Sequence, residues 1–312
     1  MAKYLVRRVL MAVITVFAVA MITFFLMNAV PGNPWLSEKN PPLAVQEALN
    51  EKYGLDQPKH IQFAKYMGNL LHGDMGVSIK INKNKPVVDI IKEHFPTSAK
   101  IGALSLGWAV LVGVTLGCIS AYHRGKWMDS LLRVISTIGI SLPSFVVATL
   151  LLYTFATSLG WFPPIFDSAG GIKSYIMPCL SLGLYPMCYI ARQSRTSMLD
   201  ALSQEYIKTA RAKGLATPAI VFKHALRNAL IPVLTYLGPQ IAFTLCGGFV
   251  AETVFTIPGL GRYFVNAINA RDYPVIMGTT IFLAAFIIVM NLIVDLLYKV
   301  VDPRINLTKG GN

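Results

Sequence analysis

Charge is scarce in this chain, and acid is the scarcer sign. Only 14% of the 312 residues are charged, with 15 Asp and Glu against 28 Lys and Arg; an ordinary soluble domain carries about 25%. A soluble protein of this length can bury a large core, but it has no use for the long apolar runs found here. Cysteine is also rare. Cys118, Cys179, Cys188 and Cys246 all fall inside apolar runs with no C-x-x-C spacing. That excludes an extracytoplasmic disulfide pair and leaves small packing residues. A phosphate-cradling loop is missing as well. It requires G-x-x-x-x-G-K-[ST], whereas Gly125-Lys126 has Ser120 in the first glycine position and Trp127 at the end. H-E-x-x-H does not occur, and His60, His72, His94, His123 and His224 lie outside the apolar runs. The chain therefore offers no catalytic residue, no metal-ligand set and no cofactor site of its own.

What the chain has instead is hydrocarbon. Hydrophobic residues make up 54% of it, concentrated in runs at 9–30, 101–122, 134–159, 175–191, 229–251 and 275–297. Each is near the ~20 residues that cross a bilayer as a helix, and helices are required because lipid cannot satisfy backbone groups. The fold class expected is an all-α polytopic membrane protein with six spans, solvated by membrane lipid. The net charge of +13 could indicate nucleic acid, but its placement argues otherwise. Lys3, Arg7 and Arg8 precede the first span, and Arg124, Lys126 and Arg133 lie between the second and third. Arg192, Arg195, Lys208, Arg211, Lys213, Lys223 and Arg227 fill the connection between the fourth and fifth, and Lys299, Arg304 and Lys309 close the chain. By the positive-inside rule both termini are cytoplasmic. The long loop after the first span holds eight Lys between Lys39 and Lys92, but long loops translocate regardless of charge. The first apolar run is too long for a signal peptide and lacks a cleavage site, so it reads as a retained span.

The expected organisation is a cytoplasmic start at 1–8, a span at 9–30 and an extracytoplasmic cap at 31–97. The other five spans follow within 98–302, with a cytoplasmic connection at 192–228 and a tail at 303–312. Inside the cap, the pattern predicts helices over 41–54, from Pro58 with Ile61, Ala64, Met67 and Leu71 on one face, and over 86–95 with Val87, Ile90, Ile91 and His94 together. Pro143, Pro178, Pro186, Pro232 and Pro239 interrupt spans and predict kinks, tolerated by helix packing or by a water-lined cavity. Gly113 and Gly117 form a small-xxx-small pair.

The connection at 204–234 carries the most specific signal. Residues 204–213 are good helix formers, Gly214 sits where a helix end takes a left-handed residue, and Thr217-Pro218 can start the next helix. Ala210, Gly214 and Leu215 are expected at the surface of this corner, ringed by Lys208, Arg211 and Lys213. A plain lipid anchor would be a continuous amphipathic helix, and this one breaks at Gly214.

Here the chain resembles a known family. TARAKGL followed by HALRNALIPV resembles the EAA loop of ABC-importer permeases, in the form found in the peptide and nickel branch. Lys208, Thr209 and Ala210 stand in the Glu-Ala-Ala positions, Gly214 matches the glycine, and His224, Leu226 and Arg227 replace Ile, Leu and Pro. PGNPW, SEKNPP, KYGLDQP, GDMGVS, FPTSAKIG, ISLPSFV, GGFVAETVFTIPGLG, NARDYP and IVDLLYKVVDPR, in that order, are similar to the B-type permease of oligopeptide importers. The resemblance implies a type I ABC importer transmembrane domain that couples to ATPases through Lys208, Thr209, Ala210, Arg211, Lys213, Gly214, Leu215 and His224. It also implies a homologous second permease, two cytoplasmic ABC ATPases that use ATP and Mg, an extracytoplasmic peptide-binding protein and an oligopeptide substrate. A dipeptide or nickel permease of the same branch is the alternative.

Two acids lie near the spans, Glu252 and Asp295, and intramembrane acids are functional candidates. Asp295 lies near Asn291 and Lys299, which fits a structural pair. Glu252 precedes FTIPGLG, so Glu252, Pro258, Gly259 and Gly261 form a candidate external gate. An ATP-independent carrier would show inverted repeats or buried ionisable groups along its spans, and neither is evident. A membrane-embedded enzyme lacks a recognisable nucleophile or metal site.

Overall fold

The computed structural model describes residues 2–29, 56–216 and 219–301, with side chains from Val6 onward except Lys223 and 295–301. PGNPW, SEKNPP, the 41–54 helix, Thr217-Pro218, the Asp295 side chain and the tail lie outside the described residues. About 80% is helical, and no strand occurs among the described residues. Five helices are long and apolar enough to cross a membrane, six if a bent pair counts as one span. The chain divides into two compact units, 1–96 with 259–289 and 307–312, and 97–258 with 290–306.

In the first unit, α1 (Ala2–Ala29) buries Ala20 and Phe24 in a cluster with Met277 and Ile281. Against it lies α2 (Lys59–Leu71), which packs Phe63, Tyr66, Met67 and Leu70. The expected face was Ile61, Ala64, Met67 and Leu71, yet Leu71 is 85% exposed. Both sets have helical spacing. The set with two aromatic rings removes more apolar area from water, so the helix turns that way. Phe63 meets the rings of Phe17, Phe24 and Phe25 with centroids 5.3–6.0 Å apart.

α3 runs unbroken from Val87 to Tyr122, 36 residues, straight through Pro96. The short cap helix expected over 86–95 is thus the first part of this rod, about 54 Å long at 1.5 Å per residue. Pro96 removes one hydrogen bond without ending the helix. Val87, Ile90 and Ile91 are buried, and His94 stacks on Tyr263 at 4.0 Å. The GDMGVS and NARDYP segments meet here. Asp272 is fully buried, and its carboxylate accepts from the Ser78 hydroxyl at 2.5 Å and from the backbone N–H groups of Ile79, Lys80 and Ile81 at 3.0–3.1 Å. Such a nest of amides compensates the burial of a charge.

The second unit is a helix bundle. α4 (Trp127–Ser141) and α5 (Ser144–Leu151), the latter continued by a wide π turn over Leu152–Ser158, meet at a bend of 104°. Pro143 is the N-cap of α5, so the kink expected in the third span is a full break. α6 (Ile172–Leu202) passes through Pro178 and Pro186 without breaking and continues eleven residues beyond 191. α7 (Glu205–Ala212) follows, then a π segment (Ile220–Ala225) that feeds α8 (Leu226–Leu245). The fifth apolar run breaks at Gly247-Gly248, beyond which stands α9 (Phe249–Val254). In the first unit, α10 (Leu260–Ala270) and α11 (Tyr273–Val301, to residue 289) complete the helices. Gly113 and Gly117 bring α3 against α6. A Cβ at Gly113 would lie 2.7 Å from the Met187 carbonyl oxygen, and one at Gly117 2.5 Å from the Ser194 Cβ. The small-xxx-small pair is a helix–helix contact here.

Candidate functional site

The connection at 203–225 forms an elbow on the second unit. Its first arm, α7, turns Ile207 and Ala210 into a cluster built from Ala121 of α3, Met198 and Ala201 of α6, Ile220, Val221 and Ala225 of the π segment, and Ala229 of α8. The corner closes as a Schellman motif. Gly214 has φ +74, its N–H donates to the Arg211 carbonyl at 2.9 Å, and the Leu215 N–H donates to the Ala210 carbonyl at 3.3 Å. These bonds satisfy carbonyls that the helix end leaves open.

Lys208, Thr209, Arg211, Lys213, Gly214 and Leu215 lie on the exposed rim, and Lys208 pairs with Glu205 at 2.7 Å. His224 is half-buried on the π segment. Ala210 differs from expectation. It is 6% exposed and packs inward, whereas Leu215 is 41% exposed. The helical phase that buries Ile207 also buries the residue three positions on, so Ala210 is the hinge's interior and Leu215 and Gly214 are its surface.

A buried ion pair braces the same unit. Asp129, 1% exposed, accepts from Arg195 Nε at 2.7 Å and Nη2 at 2.9 Å, from the Ser120 hydroxyl at 2.7 Å and from the Gly125 N–H at 3.0 Å. One carboxylate thus ties the start of α4, the end of α3, the intervening turn and α6. The sequence reading used Arg195 only for topology and passed over Asp129. The local signal was an acid in the first turn of a helix behind a glycine.

Glu252 and Pro258 belong to the second unit, Gly259 and Gly261 to the first. Glu252 is 2% exposed on α9. A Cβ at Gly247, whose φ is +99, would collide with its carboxylate. After α9 the chain turns through Thr256 at φ +53, with the Ile257 N–H donating to the Glu252 carbonyl at 2.8 Å. A β-branched residue with positive φ is a true outlier, and Phe255 and Ile257 on either side are fixed in a buried cluster. Among the described residues no three His, Cys, Asp or Glu side chains converge as a metal site would require.

Residues 113–307 match the family of binding-protein-dependent transport system inner membrane components, and residues 1–102 match the N-terminal region of such membrane components. The chain is 42% identical over 311 residues to the dipeptide transport system permease protein DppB of Bacillus subtilis, covering all of both chains. It is 40% identical to the oligopeptide transport system permease protein OppB of Haemophilus influenzae and 39% identical to the glutathione transport system permease protein GsiC of Escherichia coli. In both cases 98% of this chain and 99% of the relative are covered. Among solved structures, the inward-facing MetNI methionine ABC transporter matches with a TM-score of 0.56 at 17% identity, covering 69% of this chain and 97% of that one. That likeness is one of fold, a type I importer transmembrane domain. With family matches over nearly the whole length and relatives near 40% identical end to end, the chain belongs to the inner-membrane permease components of binding-protein-dependent transport systems and is a multi-spanning transport subunit.

Proposed function

We propose that this chain is the permease subunit of an ATP-driven importer that moves peptides across the cytoplasmic membrane by alternating access. Family membership supports the transport role, and relatives named for dipeptides, oligopeptides and glutathione support a peptide cargo. The observation that carries the coupling role is the elbow. Its basic, exposed rim sits on a helix whose other face is packed into three spans, so force on Leu215 or Gly214 reaches the bundle through Ile207 and Ala210. Two cytoplasmic ATPases push there, a homologous second permease completes the path, and an extracytoplasmic binding protein delivers the peptide. The strained Thr256 turn supports a gate at Glu252–Pro258, since backbone outliers concentrate at switching elements. The SEKNPP segment favours oligopeptides, while the 42% identity to a dipeptide permease favours short peptides as a second reading.

Uptake of labelled peptides of two to six residues, in cells with and without the gene, tests the cargo. Loss of peptide uptake on deletion is expected, and the longest peptide affected separates the two readings. Unchanged peptide uptake with lost nickel uptake would move the protein to the metal branch. Orientation has its own test. In a background with Cys118 replaced by Ser, Lys83→Cys should label with an impermeant thiol reagent from outside and Ala212→Cys only after the membrane is opened. Labelling of both from outside would overturn the cytoplasmic placement of the elbow.

A further inference from the structure

A cavity of about 260 Å³ opens between α4 and α6 on the second unit, apart from the elbow and the Glu252 turn. Three arginines line it, Arg133 from α4 and Arg192 and Arg195 from α6. Arg195 is engaged by Asp129 through two hydrogen bonds. The Arg133 side chain is 54% exposed, its Nε lies 3.7 Å from the same carboxylate, and its Nη2 donates to the Ser130 hydroxyl at 3.1 Å. Arg192 is exposed and has no ion pair among the described residues. One carboxylate thus answers three guanidinium groups, which leaves two positive charges on one small cavity. Leu116 of α3 and Leu132 of α4 line the same cavity.

This surplus of guanidinium over carboxylate, beside apolar lining from Leu116 and Leu132, matches one ligand chemistry: a phosphate joined to acyl chains. Guanidinium forks bind phosphate oxygens in a bidentate manner, and basic pockets between membrane helices hold anionic head groups. We propose that this cavity binds the phosphate of an anionic phospholipid, gripped by Arg133 and Arg192, with the acyl chains leaving past Leu116 and Leu132. Arg195, held by Asp129, fixes the back wall and the angle between α4 and α6. A lipid seated there wedges the base of the bent third span against the helix that leads into the elbow. The leaflet it occupies follows from the orientation proposed above. Lipid binding itself does not, so failure here and failure of the labelling test are distinguishable.

The test is native mass spectrometry of the full chain, purified with its bound partners in mild detergent. It is offered equal phosphatidylglycerol and phosphatidylcholine, with inorganic phosphate as a separate arm. Phosphatidylglycerol should be retained in roughly tenfold preference. Arg192→Gln, which breaks no ion pair among the described residues, and Arg133→Gln should each cut that preference severalfold. Arg211→Gln, on the elbow, should leave it unchanged. Millimolar inorganic phosphate should not displace the lipid, because the acyl chains contribute to its hold. Equal retention of the two lipids, an unaltered preference in both arginine variants, or displacement by phosphate alone would each overturn the proposal.

Discussion

Ala210→Asp is expected to detach the elbow from the helix bundle and abolish transport. Ala210 lies in a cluster with Ile207, Met198, Ile220 and Ala225, all nearly inaccessible. A carboxylate there has no cation within the cluster, and the effective penalty for an unpaired buried charge is on the order of several kcal/mol. The extra volume adds about 1–3 kcal/mol of overpacking. The Tyr206 hydroxyl, accepting from the Asn228 amide at 2.9 Å, is an exposed and much smaller tie between α7 and the bundle, so the arm should lift while the spans stay inserted. Trypsin cleavage at Lys208, Arg211 and Lys213 should accelerate at least about tenfold, one factor of ten for each 1.4 kcal/mol of eased local opening. Peptide uptake should fall to background with normal membrane levels of the protein. Gly214→Val is the milder partner. A Cβ at Gly214 meets nothing within 4 Å, so its cost is the left-handed backbone alone, about 1–3 kcal/mol. Gly214→Asn, which tolerates that conformation, should behave like the natural protein. Wild-type protease resistance in Ala210→Asp would show that this face of the helix does not carry the elbow.

Asp129→Ala should be the most destabilising single change in the second unit. It removes the acceptor of four hydrogen bonds and leaves the Arg195 guanidinium, only 19% exposed, without its counter-charge. Breaking a buried pair from one side costs about 3–5 kcal/mol, whereas replacing both members by apolar groups is often nearly neutral. The double variant Asp129→Ala/Arg195→Leu should therefore recover much of the loss. Thermal unfolding of the detergent-purified protein, followed by tryptophan fluorescence, reads this as a coupling of roughly 2 kcal/mol or more between the two sites. Additive losses would mean that the pair is not what joins α4 to α6.

Several features were legible one residue at a time. The apolar runs set the class, because lipid leaves no alternative to long helices. Gly214 as a left-handed stop and Pro143 as an interruption are local, decided by steric freedom within a few bonds. Pro96, Pro178 and Pro186 lie inside helices and end none of them. A helix held by neighbours on several sides survives one missing hydrogen bond, and that support comes from other segments.

The sequence by itself determined a membrane permease with a basic, glycine-broken connection between its fourth and fifth apolar runs. Only the tertiary structure decided which face of each helix turns inward. On α2 two helical stripes compete, and the aromatic one is buried. On α7 the burial of Ile207 carries Ala210 inside with it. Pairings across sequence were beyond local reading for the same reason. Asp129 and Arg195 lie 66 residues apart, and Ser78 and Asp272 lie 194 apart. Periodicity reports how residues along one helix share a face, but the partner of a buried charge depends on which distant segment folds against it.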